Sequence, residues 1–167
     1  MSTEIRLHGA LWRQTPPGRA DEWRRALDEL NQFNGVLPRQ PTGSTEPPAL
    51  EFALRPDDVW EVRFYADGVR RTETLELPPV MVAEHVAEYT ATISQLAHVD
   101  REAPVRGFEA LDYAKRVVHD DAAAALKDAL APVVRMDLAD ARRIFTLFFL
   151  LATDLPEELV RYHRFHR

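Results

Sequence analysis

The run at 141–153, ARRIFTLFFLLAT, sets the strongest limit on how this chain can fold. From Ile144 onward a helix built from it is apolar on nearly every side, and such a helix has to be packed on several sides. The apolar stretch is interrupted by Thr146 and is about half of what a bilayer requires, so it reads as the centre of a water-soluble core. Asp137 is a fitting N-cap for it, with Asp140 three residues on in the manner of a capping box. The rest of the chain must therefore supply covering layers.

The first half offers a sheet for this purpose. In ALEFALR, Leu50, Phe52 and Leu54 alternate with Glu51, Ala53 and Arg55; in VWEVRFY, Trp60, Val62 and Phe64 alternate with Glu61, Arg63 and Tyr65. ADG at 66–68 is a hairpin signal because Gly68 can take positive φ, and VRRTETLEL pairs back with Leu75 and Leu77 on one face. This predicts an antiparallel meander of three to four strands with one buried side. EIRLHGALW is a candidate first strand. The 36–49 segment, rich in Pro, Ser, Thr and Gly, reads as a long exposed loop.

Helical spacing follows on either side. Trp23, Ala26, Leu27, Leu30 and Phe33 form one apolar face, opened by Asp21 and Glu22 and closed by Asn34-Gly35. Pro78-Pro79 ends the sheet and starts a helix carrying Val82, Val86, Tyr89, Ile93 and Leu96. A further helix starts near Pro104 and reaches about Asp120, after which Asp120 and Asp121 can cap another that ends before Pro132. Asp154 and Pro156 open a short final helix, EELVRYH. Strands first and helices after predict an α+β fold, helices packed on one face of the sheet, with an all-helical C-terminal half around the central apolar helix. The 167 residues fit a single domain, 1–152 as its core and 153–167 as a C-terminal extension.

Composition narrows the function. There is no cysteine, which removes disulfides, thiolate metal sites and cysteine catalysis and fits a cytoplasmic location. The N-terminus shows no secretory pattern. A net charge of −6 makes nucleic acid and anionic membrane unlikely partners. The tail RYHRFHR, with Arg161, His163, Arg164, His166 and Arg167, reads as a solvated, frayed end or, more sharply, as a basic arm for an acidic partner.

The stretch at 108–121, FEALDYAKRVVHDD, carries the candidate chemistry. Glu109, Asp112, Arg116 and His119 fall in one arc of a helix, opposite Phe108, Leu111, Ala114 and Val118. A solvated face with an Asp112–Arg116 pair explains that arc. Arg142 and Arg143 add to it, because Arg142 lies between Phe145 and Phe149 on the wheel. A guanidinium buried there needs a counter-ion, and Glu109 and Asp112 are the expected ones. In the functional version Arg116, Arg142 and Arg143 bind an anion while His119, with Glu109 or Asp112, does acid–base work. No nucleophile elbow, P-loop or HExxH motif accompanies them. Glu84, His85 and Glu88 share one helical turn, but three residues on one helix do not make a metal site, and no cofactor is implied.

RADEWRRALDELNQFN, ALEFALRPDDVWEVRFYADG, EALDYAKRVVHDD and DLADARRIFTLFFLL together resemble the uncharacterised bacterial protein family number 0262, over about residues 3–152. Glu109, Ala110, Asp112, Arg116 and His119 fall on positions of the same type in that family, as do Asp137, Ala141, Arg142, Arg143, Phe145, Thr146 and Leu147. Val117 stands where the family has glycine and Asp120 where it has asparagine. The DDAAAAL stretch lacks a glycine found there, so the helix can run on. The resemblance implies one α+β domain and no particular reaction. Two functions stay open: a non-catalytic domain that binds an unknown protein partner or itself as a homo-oligomer, and a small enzyme or anion-binding protein with a polar site between the helices at 105–120 and 138–152.

Overall fold

The computed structural model describes residues 2–16, 18–102 and 106–164. Strand β1 (Glu4–Leu7) leads into α1 (Gly9–Gln14) and α2 (Arg19–Gln32); β2 (Leu37–Pro38), β3 (Ala49–Leu54), β4 (Trp60–Tyr65) and β5 (Arg71–Glu76) follow. Then come α3 (Pro79–Glu102), α4 (Arg106–Leu130), β6 (Val134–Arg135), α5 (Leu138–Ala152) and α6 (Glu157–Arg164). The architecture is α+β, as the sequence pattern predicts.

The main sheet has the order β1-β3-β4-β5. β3, β4 and β5 form the expected antiparallel meander, in register at Leu50↔Phe64, Phe52↔Val62 and Val62↔Leu75. Gly68 turns the β4–β5 hairpin at φ 81°, and a Cβ there would come within 3.0 Å of the Pro47 carbonyl oxygen. β1 differs from a simple meander: it pairs parallel with β3, Ile5 opposite Leu50. The chain between them crosses over through α1 and α2, the kind of connection a parallel pair requires. EIRLHGALW is accordingly only half strand. It stops at Leu7, and His8 accepts from the Ala10 N–H at 3.2 Å to cap α1.

One face of the sheet packs on α5. Phe148 meets Phe52 at 5.8 Å and Trp60 at 5.3 Å between ring centroids, so the centre of α5 anchors the two middle strands. The other face carries its own ionic cover. Glu51 takes Arg6 at 3.5 Å and Arg63 at 3.6 Å, Arg63 also takes Glu61 at 2.7 Å, and Arg6 lies over the Tyr65 ring. These long side chains close over Ala49 and Ala53, so alternate positions of β3 are buried on both faces while Leu54, expected in the core, is partly exposed.

α5 is the central helix. Ile144, Phe145, Leu147, Phe148, Phe149 and Leu150 are all buried, and α2 and α4 pack beside it. Asp137 caps it by accepting from the Asp140 N–H at 2.8 Å. Asp140 does not complete a capping box. It turns to the Gly35 N–H at 3.2 Å, and a Cβ on Gly35 would sit 3.0 Å from its carboxylate. That contact ties the end of α2 to the start of α5.

Three expectations need correction. Asp120 and Asp121 cap no new helix; α4 runs unbroken to Leu130 because Ala122, Ala123 and Leu126 continue its buried face. The 36–49 segment is not loop throughout, since β2 pairs with β6, Leu37 opposite Arg135. The C-terminal segment is not a frayed arm as far as it is described: Tyr162 and His163 are buried. Pro104, His166 and Arg167 lie outside the described residues, as do the side chains of Phe108 and Arg164. Among the described residues no helix is long and apolar enough to cross a membrane.

Candidate functional site

A cleft of about 1120 Å³ runs along α5, walled by α2, α4 and α6. Five arginines from four helices border it: Arg25 of α2, Arg116 of α4, Arg142 and Arg143 of α5, and Arg161 of α6. His119, Thr146 and His163 lie deeper, beside the apolar Ala26, Leu30 and Leu150.

The cations are braced by acids. Arg142 meets Asp120 side-on, Nε to Oδ1 at 2.6 Å and Nη2 to Oδ2 at 2.9 Å. This pairing raises the guanidinium's affinity for its proton. It fixes one edge of the fork and leaves the Nη1 hydrogens outside the pair. Arg116 Nη2 donates to Asp112 at 2.8 Å, Arg143 Nη1 to Asp140 at 3.3 Å while lying over Phe33, and Arg25 is 3.9 Å from Glu22. Burial raises the pKa of Asp140 above the ordinary carboxylate value.

This corrects the pairing expected from the helical wheel. Arg142 is not buried; its side chain is 46% exposed, and its partner is Asp120 rather than Glu109 or Asp112. The stripe on α4 also divides. Glu109 and Arg116 are exposed and Asp112 is half-buried, whereas His119 is 1% exposed. Arg116, His119, Arg142 and Arg143 come together at the cleft, and Glu109 and Asp112 are not part of its lining.

His119 and His163 are linked through Thr146. The Thr146 hydroxyl donates to the Arg142 carbonyl at 2.9 Å, which uses its one hydrogen. His119 Nε2, 3.1 Å from the same hydroxyl oxygen, is then the donor. His163 Nε2 lies 3.1 Å from the Thr146 carbonyl oxygen and donates to it, so in the neutral ring its Nδ1, 3.0 Å from Tyr89 Oη, accepts. Tyr89 meets both imidazoles edge-on, at 5.4 Å each. Burial, then the neighbouring His163, Lys115 and Arg142, lower the His119 pKa to about 3, so the ring is neutral near pH 7. Burial holds the Tyr89 hydroxyl protonated well past its usual range.

Lys115, Tyr89, Thr146 and His163 are the members the sequence reading did not assign to a site. Lys115 is fully buried and donates to the Tyr162 carbonyl in the last turn of α6. Its pKa falls to about 8, because burial outweighs the nearby Asp112. A signal was present: Lys115 falls in register with Leu111, Val118, Ala122 and Leu126, a polar residue on the buried stripe.

Glu84 and Glu88 are exposed and His85 is half-buried; among the described residues no three His, Cys, Asp or Glu are grouped to hold a metal ion.

The fold and cleft define a class: an α+β protein with an arginine-bordered, histidine-floored cleft along its central helix. The sequence profile of the uncharacterised protein family UPF0262 matches residues 3–154, and the chain belongs to that family. It is 31% identical over 135 residues to a UPF0262 protein of Maricaulis maris, covering 79% of this chain and 81% of that one. It is 28% identical over 156 residues to a UPF0262 protein of Sphingopyxis alaskensis, covering 90% and 91%. No solved structure matches.

Proposed function

We propose that this protein binds a small anionic ligand, carrying carboxylate or phosphate, in the cleft along α5. The observation that carries this reading is the convergence of five arginines from four helices on one cleft. Each pair leaves N–H donors unused, since a guanidinium has five and Arg142 gives two to Asp120. A carboxylate that locks one edge of an arginine preorganises the other edge for a planar anion. The volume is slightly above the roughly 300–1,000 Å³ usual for small-molecule sites.

Acid–base chemistry has less support. His119 is neutral, engaged with Thr146, and has neither Glu109 nor Asp112 beside it in the cleft. A partner-binding or self-associating role also has less to stand on. The exposed large apolar side chains Phe33, Leu54, Val69, Val80, Tyr113 and Val117 are spread over several elements, and the outer strand β5 is studded with Arg71, Glu73 and Glu76, which discourage edge pairing.

The test is a thermal-shift and calorimetric screen with inorganic phosphate, sulfate, acetate and succinate. A ligand that binds the native state raises the melting temperature. Arg142→Lys, which keeps the charge and loses the fork, should weaken binding about tenfold, in line with a charge-assisted hydrogen bond worth 1.5–3 kcal/mol. A screen in which no anion shifts the melting temperature would overturn the proposal.

A further inference from the structure

We propose that α6 is an acid-released strap: it comes away from the body as a unit while the sheet and α5 stay folded, and its release takes one wall off the cleft. The device is independent of what the cleft binds.

α6 is short and hinged. Thr153 ends α5 in extended backbone, and the Leu159 N–H donates to the Pro156 carbonyl as α6 starts its eight residues. Leu155, Val160, Tyr162 and His163 are buried against the body. Under the last turn the seam is polar. His163 Nε2 donates to the Thr146 carbonyl of α5 at 3.1 Å, its Nδ1 accepts from Tyr89 of α3 at 3.0 Å, and Lys115 of α4 donates to the Tyr162 carbonyl. Water can replace each of these hydrogen bonds once the strap lifts, an exchange that a wholly apolar seam does not offer. Lys115 biases the seam further toward opening. Its ammonium is taken out of water against a carbonyl, and the nearby acid Asp112 also holds Arg116. Lifting α6 returns that charge to water. A free helix of eight residues does not persist in water, so release and unwinding go together.

The acid response comes from His119, which Thr146 and Tyr89 join to His163 of the strap. Around it stand Tyr89 of α3, Lys115 of its own helix beside Asp112 and Arg116, Arg142 of α5 with Asp120, and His163 of α6. Glu22, Arg25 and Glu29 of α2 and Arg161 of α6 border the same cleft. With the strap closed, burial and then His163, Lys115 and Arg142 hold the His119 pKa at about 3. With α6 lifted, His163 is withdrawn and water reaches the ring, which then titrates near its ordinary 6.5. The open form takes a proton that the closed form refuses, so opening is favoured as pH falls through 6.5. At pH 5.0 the span is about 1.5 pH units, a rise of about thirtyfold in the opening equilibrium.

The experiment is hydrogen–deuterium exchange of the full chain, read by mass spectrometry at pH 7.5 and 5.0 and corrected for intrinsic rates. The α6 amides should exchange through an opening that is insensitive to low urea and about tenfold or more easier than that of the β3 and β4 amides. From pH 7.5 to 5.0 this opening should rise about thirtyfold more in the wild type than in His119→Gln, whose amide keeps the Thr146 contact and does not titrate. The chain has two lysines, Lys115 and Lys127, which gives a second readout. Sulfosuccinimidyl acetate at pH 7.5 should acylate Lys115 at a rate unchanged by urea below the unfolding transition. Exchange of α6 only together with β3 and β4, or Lys115 acylation only where urea unfolds the whole chain, would overturn the strap; both are read on the wild type and hold even if His119→Gln fails to fold. An α6 opening equally sensitive to pH in the two proteins would overturn its release by acid.

Discussion

Acidification is the perturbation that the buried His119 should answer most strongly. In the unfolded chain its imidazole titrates near the ordinary value of 6.5; in the fold, burial and the neighbouring His163, Lys115 and Arg142 lower it to about 3. Facing it are Tyr89 of α3, Lys115 of its own helix, Phe145, Thr146 and Arg142 of α5, and His163 of α6. Above pH 6.5 the ring is neutral in both states and costs nothing. As pH falls through 6.5 the unfolded state takes a proton that the native state refuses, so stability drops until the folded pKa is reached near 3. At pH 5 the difference spans about 1.5 pH units, or roughly 2 kcal/mol, and approaching pH 3 it reaches on the order of 4 kcal/mol. The assay is urea denaturation at pH 7.5 and 5.0 of the wild type and of His119→Gln, whose amide can still donate to Thr146 and does not titrate. Every other ionisable group is common to the two proteins, so the loss on acidification should be about 2 kcal/mol larger in the wild type. Parallel losses in the two proteins would refute the buried, neutral imidazole.

Lys115 gives the opposite sign at the alkaline end. Its folded pKa of about 8 lies below the ordinary 10.5, so wild-type stability should rise between pH 8 and 10.5 as the native state sheds a proton the unfolded chain keeps. The gain should be on the order of 2–3 kcal/mol and absent in Lys115→Met, read from urea midpoints across that range. Phe148→Ala removes the ring that joins α5 to Phe52 and Trp60, and should cost about 3–5 kcal/mol in the same assay; a loss under 1 kcal/mol would mean the sheet and α5 are not packed through it. Asp137→Ala should cost about 1 kcal/mol, the usual value of an N-cap, with Asp137→Ser close to wild type in melting temperature.

What the sequence made legible follows from how each signal is written. α5 could be read because its apolar residues cover every side of the wheel and its cap precedes it at a fixed offset. The meander could be read because alternation of period two persists over six residues in β3 and β4. β1 carried the same alternation, but its parallel direction depends on the crossover through α2, a property of the path rather than of the strand. β2 and β6, two residues each, are too short to carry any period. Arg142 shows the limit of the wheel. Its position points among phenylalanines, yet a long side chain in the second turn of a helix can leave the core and reach Asp120 on the neighbouring helix, and this side chain does so. Its choice of partner then explains α4. Asp120 looks like a cap in the sequence, but its carboxylate is taken by Arg142 and the backbone continues as helix to Leu130. The polar residues that matter most in the cleft floor, His119, Thr146 and His163, lie on apolar faces of three different helices, and only tertiary packing brings them into one hydrogen-bonded chain. A single periodicity cannot encode that meeting. It can flag the members, because each is a polar residue in register with a buried stripe, and a buried polar side chain needs a partner that the fold must bring to it.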